Sequence, residues 1–307
     1  MSWQRVALNL ILRLTEKPYL ARVRDPEVIR ASFERRARWL FRPPRSVPVR
    51  QVRLGTGSRG LEALRVGDGA DGGPVILYFH GGAYVFGSPR THAGLAARLA
   101  QVTGLPVCLP DYRKAPEHPF PAAVEDARAA FEALVASGIP AGRIVLGGDS
   151  AGGGLALALL GDLCARGADL PAAAFAFSPL TDLGFSGESF RANAARDVML
   201  PAGRDRDMAQ MYLQGADPEQ PLASPLMADF TGAGPVWLAA GDTEIMLDDT
   251  RRMAAHLRRQ GVVVEEIIAR DLPHVWPFFW RYLPEGAETL RALAGWISRQ
   301  SWRSGES

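Results

Sequence analysis

Apolar residues follow two periods along this chain, and their succession predicts strands and helices in turn. Continuous apolar runs, typical of strands buried on both faces, occur at 75–79, 107–109, 144–146, 173–177 and 235–240, and a further strand is predicted at 262–269. Helical periods separate them, at about 88–102, 122–137, 155–160 and 285–299, and in the stretch that ends near residue 260. Two alternating stretches, 47–56 and 61–66, precede the first run and predict an antiparallel pair. This order predicts an α/β fold with one mostly parallel sheet flanked by helices.

The N-terminal stretch lies outside this alternation. Its apolar residues share one face of a helix over residues 3–14: Trp3, Val6, Ala7, Leu10 and Leu14. A second helix begins at Asp25-Pro26, an N-cap followed by proline in the first turn. We expect these helices to pack on the core, with a lid or a membrane-surface anchor as the alternatives.

A second interruption lies between residues 181 and 230. It contains one clear helix, near 202–213, and is otherwise rich in Pro, Asp, Ser and Gly. An insertion of this size in a regular α/β pattern is expected to be functional.

Composition narrows the classes of protein and partner. The 307 residues are 47% hydrophobic and carry a net charge of +2, which supports a large core and indicates neither nucleic acid nor another strongly charged partner. Cys108 and Cys164 lie in apolar stretches without metal-ligand spacing, so we expect buried thiols and no metal. Arg5 and Arg13 interrupt the N-terminal apolar patch, which predicts a cytoplasmic protein without stable membrane insertion.

The chemistry centres on Gly148-Asp149-Ser150-Ala151-Gly152, a G-x-S-x-G pattern between an apolar strand and an apolar helix. This context places a serine on a strained strand-to-helix turn and exposes its hydroxyl above the sheet. Ser150 is therefore the candidate nucleophile, although a glycine-rich turn with an incidental serine would give the same pattern.

A serine nucleophile needs a base and an acid, and both are sought downstream of it. Of the five histidines, only His274 follows Ser150 and also lies in a loop directly after a strand. The acid comes from the loop after strand 235–240, where Asp242 and Glu244 are both candidates to orient His274.

The sequence also indicates candidate donors for an oxyanion hole. The run 75–79 continues directly into His80-Gly81-Gly82, where glycines let backbone N–H groups turn toward the space above Ser150. With the N–H of Ala151, the N–H groups of Gly81 and Gly82 form the candidate oxyanion hole, and His80 is interpreted as structural.

Three motifs give the chain a resemblance to a known family. The stretches 80–83, 148–153 and 111–123 together resemble the hormone-sensitive-lipase-like (family IV) bacterial esterases of the α/β-hydrolase superfamily, over roughly Trp3 to Trp296. The resemblance implies one α/β-hydrolase domain over 1–307, with a helical cap from about 1–45 and about 182–229. It also implies cofactor-free hydrolysis of short to medium acyl esters through an acyl-enzyme. Ala83 departs from the family, in which many members have a third glycine.

The residue spacing of the family motif also favours one of the two candidate acids over the other. The family reads acid-Pro-Leu-x-Asp, and an acid at Glu244 places Met246 on the leucine and Asp248 on the second aspartate. With Asp242 both matches fail. The predicted triad is therefore Ser150, Glu244 and His274, with Asp242 as the alternative acid.

Several further expectations depend on these assignments. The substrate pocket is expected to be lined by Tyr84, Val85, Phe86, Met208, Tyr212 and Trp276. A preference for short acyl chains is expected because the sequence shows no extended apolar lid.

The alternatives are a lactone or amide hydrolase with the same triad, a membrane-attached lipase, and a non-catalytic ligand-binding member of the fold, as in the plant gibberellin receptors. A homodimer is expected through the last strand, although Glu265 and Glu266 oppose edge pairing.

Overall fold

The fold is taken from a computed structural model that describes residues 2–56 and 60–300. Of the expected 1–307 domain, Met1, residues 57–59 and residues 301–307 lie outside the described residues, as does the side chain of Asp205. The described strands form one eight-stranded sheet in the order β1-β2-β4-β3-β5-β6-β7-β8. Their bounds are β1 Val49–Leu54, β2 Leu61–Val66, β3 Val75–Phe79, β4 Val107–Pro110, β5 Ile144–Asp149, β6 Ala173–Phe177, β7 Val236–Gly241 and β8 Val264–Ala269.

The direction of the strands confirms the predicted fold class. Strand β2 pairs antiparallel with both β1 and β4, while the pairs from β4 through β3, β5, β6 and β7 to β8 are all parallel. The inner strands β3 to β7 are buried throughout, as continuous apolar runs require.

Helices cover both faces of the sheet. Their bounds are α1 Trp3–Leu14, α2 Glu16–Arg22, α3 Pro26–Leu40, α4 Pro89–Thr103, α5 Ala122–Ala136, α6 Ala151–Ala165, α7 Ser189–Ala192, α8 Arg204–Leu213, α9 Leu247–Arg259 and α10 Pro284–Ser298. Helices α4 and α10 pack on one face and α5, α6 and α9 on the other. The short helices α2 and α7 were not predicted, because neither is long enough to show a helical period.

The parallel register brings several loops to one edge. Phe79 pairs with Gly148, Phe177 with Ala239 and Gly241 with Ala269, so β3, β5, β6, β7 and β8 end nearly level. The loops that carry the candidate chemistry all leave from these carboxyl ends, where ligands bind in open α/β sheets.

The orientation of α1 contradicts the expectation that its apolar face packs on the core. Trp3, Val6, Leu10 and Leu14 are 57–75% exposed, whereas Arg5 and Leu12 are buried. Polar contacts fix this orientation. Ser2 donates from its N–H and its hydroxyl to Glu285 at 2.7 and 2.8 Å. Arg5 forms an ion pair with Asp271, and Asn9 Nδ2 donates to the Asp271 carbonyl at 3.0 Å.

Two other observations bear on partners. Within the described part of the chain, no helix has the length and apolar content that crossing a membrane requires. Strand β8 lies at the edge of the sheet, next to β7 alone, as the dimer expectation requires. The homodimer itself stays a prediction.

Candidate active site

Ser150 lies between β5 and α6 in a conformation that few residues adopt. Its φ of 53° and ψ of −125° put it in the region that side chains disfavour, and its N–H donates to the Phe177 carbonyl at 2.8 Å. The flanking glycines are required by close packing. A Cβ on Gly148 would lie 2.2 Å from the Gly152 carbonyl oxygen, and one on Gly152 would lie 2.1 Å from the Phe79 carbonyl oxygen. The turn is therefore the sharp strand-to-helix turn that the motif predicted.

His274 and Glu244 form a buried hydrogen-bonded pair. The distance from His274 Nδ1 to Glu244 Oε2 is 2.7 Å, and the two residues are 3% and 1% exposed. Asp242 has another partner, because its Oδ1 accepts the Asp271 N–H at 2.6 Å. The loop after β7 thus presents Glu244 to the histidine and Asp242 to the backbone of the loop after β8.

Ser178 links these two loops, and sequence reasoning missed it. Its hydroxyl donates to Glu244 Oε1 at 2.8 Å and accepts the Val275 N–H at 3.0 Å. The Gly241 N–H also donates to Glu244 Oε1. A signal was available, because Ser178 directly follows β6, the strand between those that lead to Ser150 and to Glu244.

The candidate oxyanion donors are free to receive a ligand. Among the described residues, the N–H groups of Gly81 and Gly82 have no protein acceptor. Ala151 is the first residue of α6, where the N–H has no partner within the helix. Ala83 has a φ of 53°, a conformation that glycine adopts more easily, so the departure from the family leaves a strained residue beside the donors.

Buried polar side chains lie next to Gly81, one of these donors. The Tyr78 hydroxyl donates to Asp149 Oδ1 at 2.7 Å, and His92 Nε2 lies 3.4 Å from the same oxygen. Burial raises the pKa of Tyr78, with a further increase from the Asp149 charge, so its hydroxyl keeps the proton it donates. A Cβ on Gly81 would lie 2.2 Å from Asp149 Oδ2, which explains the glycine there.

The histidine before the donor glycines has structural contacts. His80 is fully buried, stacks on Tyr112 at 4.3 Å between ring centroids, and contacts its neighbour Gly81 through Nδ1. Burial lowers the pKa of His80, as do the charges of Lys114 and His92, so its ring is neutral. This environment supports the structural interpretation of His80.

An apolar cavity of about 710 Å³ adjoins these groups. Ser150, His274, Gly81 and Gly82 all line it. Among the residues described, no hydrogen bond joins the Ser150 hydroxyl to His274. Such contacts are often long in the absence of substrate and shorten when substrate binds.

The expected pocket residues divide into two groups. Tyr84, Phe86 and Met208 line the cavity, but Val85, Tyr212 and Trp276 do not. Tyr212 is stacked behind Tyr84, with 3.9 Å between ring centroids. The Trp276 indole is fully buried outside the cavity lining and donates to the Thr289 hydroxyl at 2.9 Å.

The N-terminal helices supply much of the lining that the sequence interpretation missed. Cavity residues from α1, α2 and α3 include Trp3, Leu8, Ile11, Leu20, Ile29 and Phe33. This contradicts the expectation that an extended apolar lid is absent. The helical period at 3–14 was the available signal, since Trp3 and Ala7 belong to it.

Burial and charge act against each other at His274. Burial lowers the pKa of the imidazole, but the hydrogen bond and the charge of Glu244, with smaller contributions from Asp197 and Asp149, raise it more. The net pKa lies above the ordinary value of 6.5. The carboxylate therefore favours the imidazolium form, as expected of a group that stabilises a protonated base.

In the described part of the chain, neither cysteine belongs to a group of metal ligands. Within residues 2–56 and 60–300, no three His, Cys, Asp or Glu side chains are grouped as ligands for a metal ion. Both thiols are free, and burial raises the pKa of Cys108 to about 12 and that of Cys164 to about 11.

Comparisons with known proteins agree with this geometry. Residues 76–278 match the sequence profile of a family described as the alpha/beta hydrolase fold. An acetyl-hydrolase of Streptomyces hygroscopicus is 41% identical over 225 residues, which cover 73% of this chain and 75% of that protein. A crystal structure of an esterase/lipase from an uncultured bacterium has a TM-score of 0.91 at 36% identity and covers 98% of this chain and 99% of that one. A solved esterase from the bacterial hormone-sensitive lipase family has a TM-score of 0.88 at 36% identity, with the same coverage.

Proposed function

Because the chain belongs to the hormone-sensitive-lipase-like esterases of the α/β-hydrolase family, we propose that it is a carboxylic ester hydrolase with a Ser150, Glu244 and His274 triad. One observation carries the proposal. A buried His274–Glu244 pair, 2.7 Å apart, lies beside the apolar cavity that Ser150 also lines. The names of the acetyl-hydrolase and esterase relatives support the same class of reaction.

The mechanism follows from the position of each group. The ester carbonyl oxygen accepts hydrogen bonds from the N–H groups of Gly81, Gly82 and Ala151. Ser150 Oγ bonds to the carbonyl carbon while His274 Nε2 takes its proton. The bond to the alcohol oxygen then breaks, and His274 returns the proton to the leaving alcohol. In the second half, His274 takes a proton from water as its oxygen bonds to the acyl carbon; the bond to Ser150 Oγ then breaks, and His274 returns the proton to Oγ as the acid leaves.

We include in the proposal a cap formed by residues of about 1–45 and 182–229. Contacts between the two segments support it. Lys17 Nζ donates to the carbonyls of Ala194 and Asp197 at 2.8 and 2.6 Å. Arg204 donates to the carbonyls of Leu20 and Val23 at 3.2 and 2.8 Å. Both segments line the cavity, so the cap would form the acyl site.

The cavity leads us to expect a preference for short to medium acyl chains. A volume of about 710 Å³ lies within the range of small-molecule sites, and most of the side chains that line it are apolar. In a series of p-nitrophenyl esters, kcat/KM should be highest between butyrate and octanoate and should fall by palmitate. Leu200→Trp fills the cavity and should shift the optimum to shorter chains. Leu213→Trp, a partly buried position outside the lining, is the matched control. A steady rise to palmitate would contradict the expectation.

The pH dependence should reflect the raised pKa of His274. Only the neutral imidazole accepts a proton, so kcat/KM should fall as the pH decreases through a value above 6.5. Glu244→Gln removes the carboxylate that raises this pKa most and should move the acid limb to lower pH. Asp242→Asn should leave the limb in place, because Asp242 does not contact the ring. An acid limb that Glu244→Gln does not move would argue against His274 as the base.

A further inference from the structure

The outward orientation of α1 points to a function beyond ester hydrolysis. We propose that the outer face of α1, formed by Trp3, Val6, Leu10, Ile11 and Leu14, docks reversibly on an anionic lipid bilayer, with the end of α3 beside it. The protein would lie on the lipid surface with the opening of its cavity toward the bilayer.

The first support is the apolar surface itself. The five residues of the outer face are 56–75% exposed. Trp3, Val6, Leu10 and Leu14 follow the i, i+3, i+7, i+11 spacing of a single helical stripe. Because the polar anchors Ser2, Arg5 and Asn9 occupy the inner side, the stripe cannot turn inward without breaking them. A helix with this arrangement buries its apolar face in the interfacial region of a bilayer.

The second support is the distribution of charge. Residues 1–45 contain eleven basic and four acidic residues, a net charge of +7, although the whole chain carries only +2. The remaining residues therefore carry −5. Some of the basic side chains are exposed and, in the described part of the chain, have no carboxylate partner: Arg13, Arg22, Arg35, Arg38 and Arg42. Arginines of this kind near a surface are attracted to anionic lipid.

The end of α3 combines both features. Trp39 is 73% exposed and carries the Arg42 guanidinium 4.6 Å from its ring centroid. Arg35, Arg38 and Trp39 share one helical face by their i, i+3, i+4 spacing. An aromatic side chain beside arginines is suited to the headgroup level of a bilayer.

The docking surface is continuous with the cavity. Trp3, Ile11, Leu40 and Tyr282 are exposed and also line the cavity, so they surround an opening to solvent. The Tyr282 hydroxyl donates to the Leu40 carbonyl at 2.8 Å, which fixes one side of this opening. Docking would thus place the opening against the lipid.

Charge also favours an anionic bilayer over a second copy of the chain as the partner of this docking surface. In a symmetric dimer the same patch contacts itself, so two N-terminal segments of +7 would face each other. Like charges at such short range repel, whereas anionic lipid neutralises them. The charge therefore favours a bilayer.

Sedimentation with lipid vesicles tests the proposal. The full chain carrying Ser150→Ala is mixed with phosphatidylglycerol or phosphatidylcholine vesicles, so that binding is measured without hydrolysis. We expect at least about tenfold tighter binding to phosphatidylglycerol, because each exposed arginine near the surface adds attraction. Binding should weaken between about 0.05 and about 0.5 M salt, since salt screens exposed charges. Equal binding to both lipids, or none to phosphatidylglycerol, would overturn the proposal whether or not the protein is an esterase.

Matched variants locate the surface. Val6→Ser/Leu10→Ser/Leu14→Ser avoids the cavity lining and should weaken binding by about a hundredfold through lost apolar burial. Val263→Ser, at a 74% exposed position directly before β8, should not change it. Arg38→Gln/Arg42→Gln should weaken binding by about tenfold, while Arg166→Gln should not. A triple variant that converts a dimer to a monomer in light scattering and still sediments would instead assign the surface to a second copy.

Discussion

Replacing Ser150 by alanine is expected to lower kcat by about 10⁶, because the covalent route is lost and only the oxyanion and binding contributions remain. The fold should be retained. Alanine keeps the Cβ that already occupies the strained turn at φ 53°, and the N–H contact to Phe177 does not involve the side chain. Purified variant and wild type are compared by steady-state hydrolysis of p-nitrophenyl butyrate.

Two controls sharpen this measurement. Ser137→Ala removes an exposed hydroxyl at the end of α5 and should leave kcat nearly unchanged. A fluorophosphonate probe should label the wild type and the Ser137→Ala protein, but not the Ser150→Ala protein. Near-normal turnover by Ser150→Ala with a retained circular dichroism spectrum would rule out the proposed mechanism.

Glu244→Gln is expected to lower kcat by about 10⁴, the loss that follows when a triad acid becomes an amide and the wrong imidazole tautomer is held. Asp242→Asn should cost far less. The structural reason is that Glu244 Oε2 lies 2.7 Å from His274 Nδ1, while Asp242 accepts a backbone N–H of the neighbouring loop and pairs with Arg196 instead of the histidine. The two variants change one atom each and differ only in which carboxylate they remove, so each is the control for the other. If both fold and Asp242→Asn loses more activity, the acid is Asp242.

The sheet could be predicted from the sequence because a strand that is buried on both faces appears as an unbroken run of apolar residues. Strand β6, Ala173–Phe177, has the predicted bounds, and the turn at Ser150 follows the run that predicted β5. The loops after β7 and β8 were also readable, since parallel strands end at a common edge. That logic brings Glu244 and His274 together even though 30 residues separate them.

The residues that line the cavity could not be predicted from the sequence in the same way. A helical period tells which residues share a face, but not which way the face turns. For α1 the direction depends on Asp271 and Glu285, which are more than 260 residues away in the chain. Val85 illustrates the same limit, because neighbouring residues in an irregular loop have no fixed alternation of inward and outward side chains.

The Ser178 hydroxyl has a consequence for motion in the site. Since it contacts both Glu244 and the backbone of Val275, the loops that carry the acid and the base are joined through one side chain. Their relative position should therefore persist while substrates enter and leave. The Ser150 Oγ, in contrast, is oriented by rotation about the single χ1 torsion. Such rotations take picoseconds to nanoseconds, and their entropic cost is far below that of ordering a whole loop.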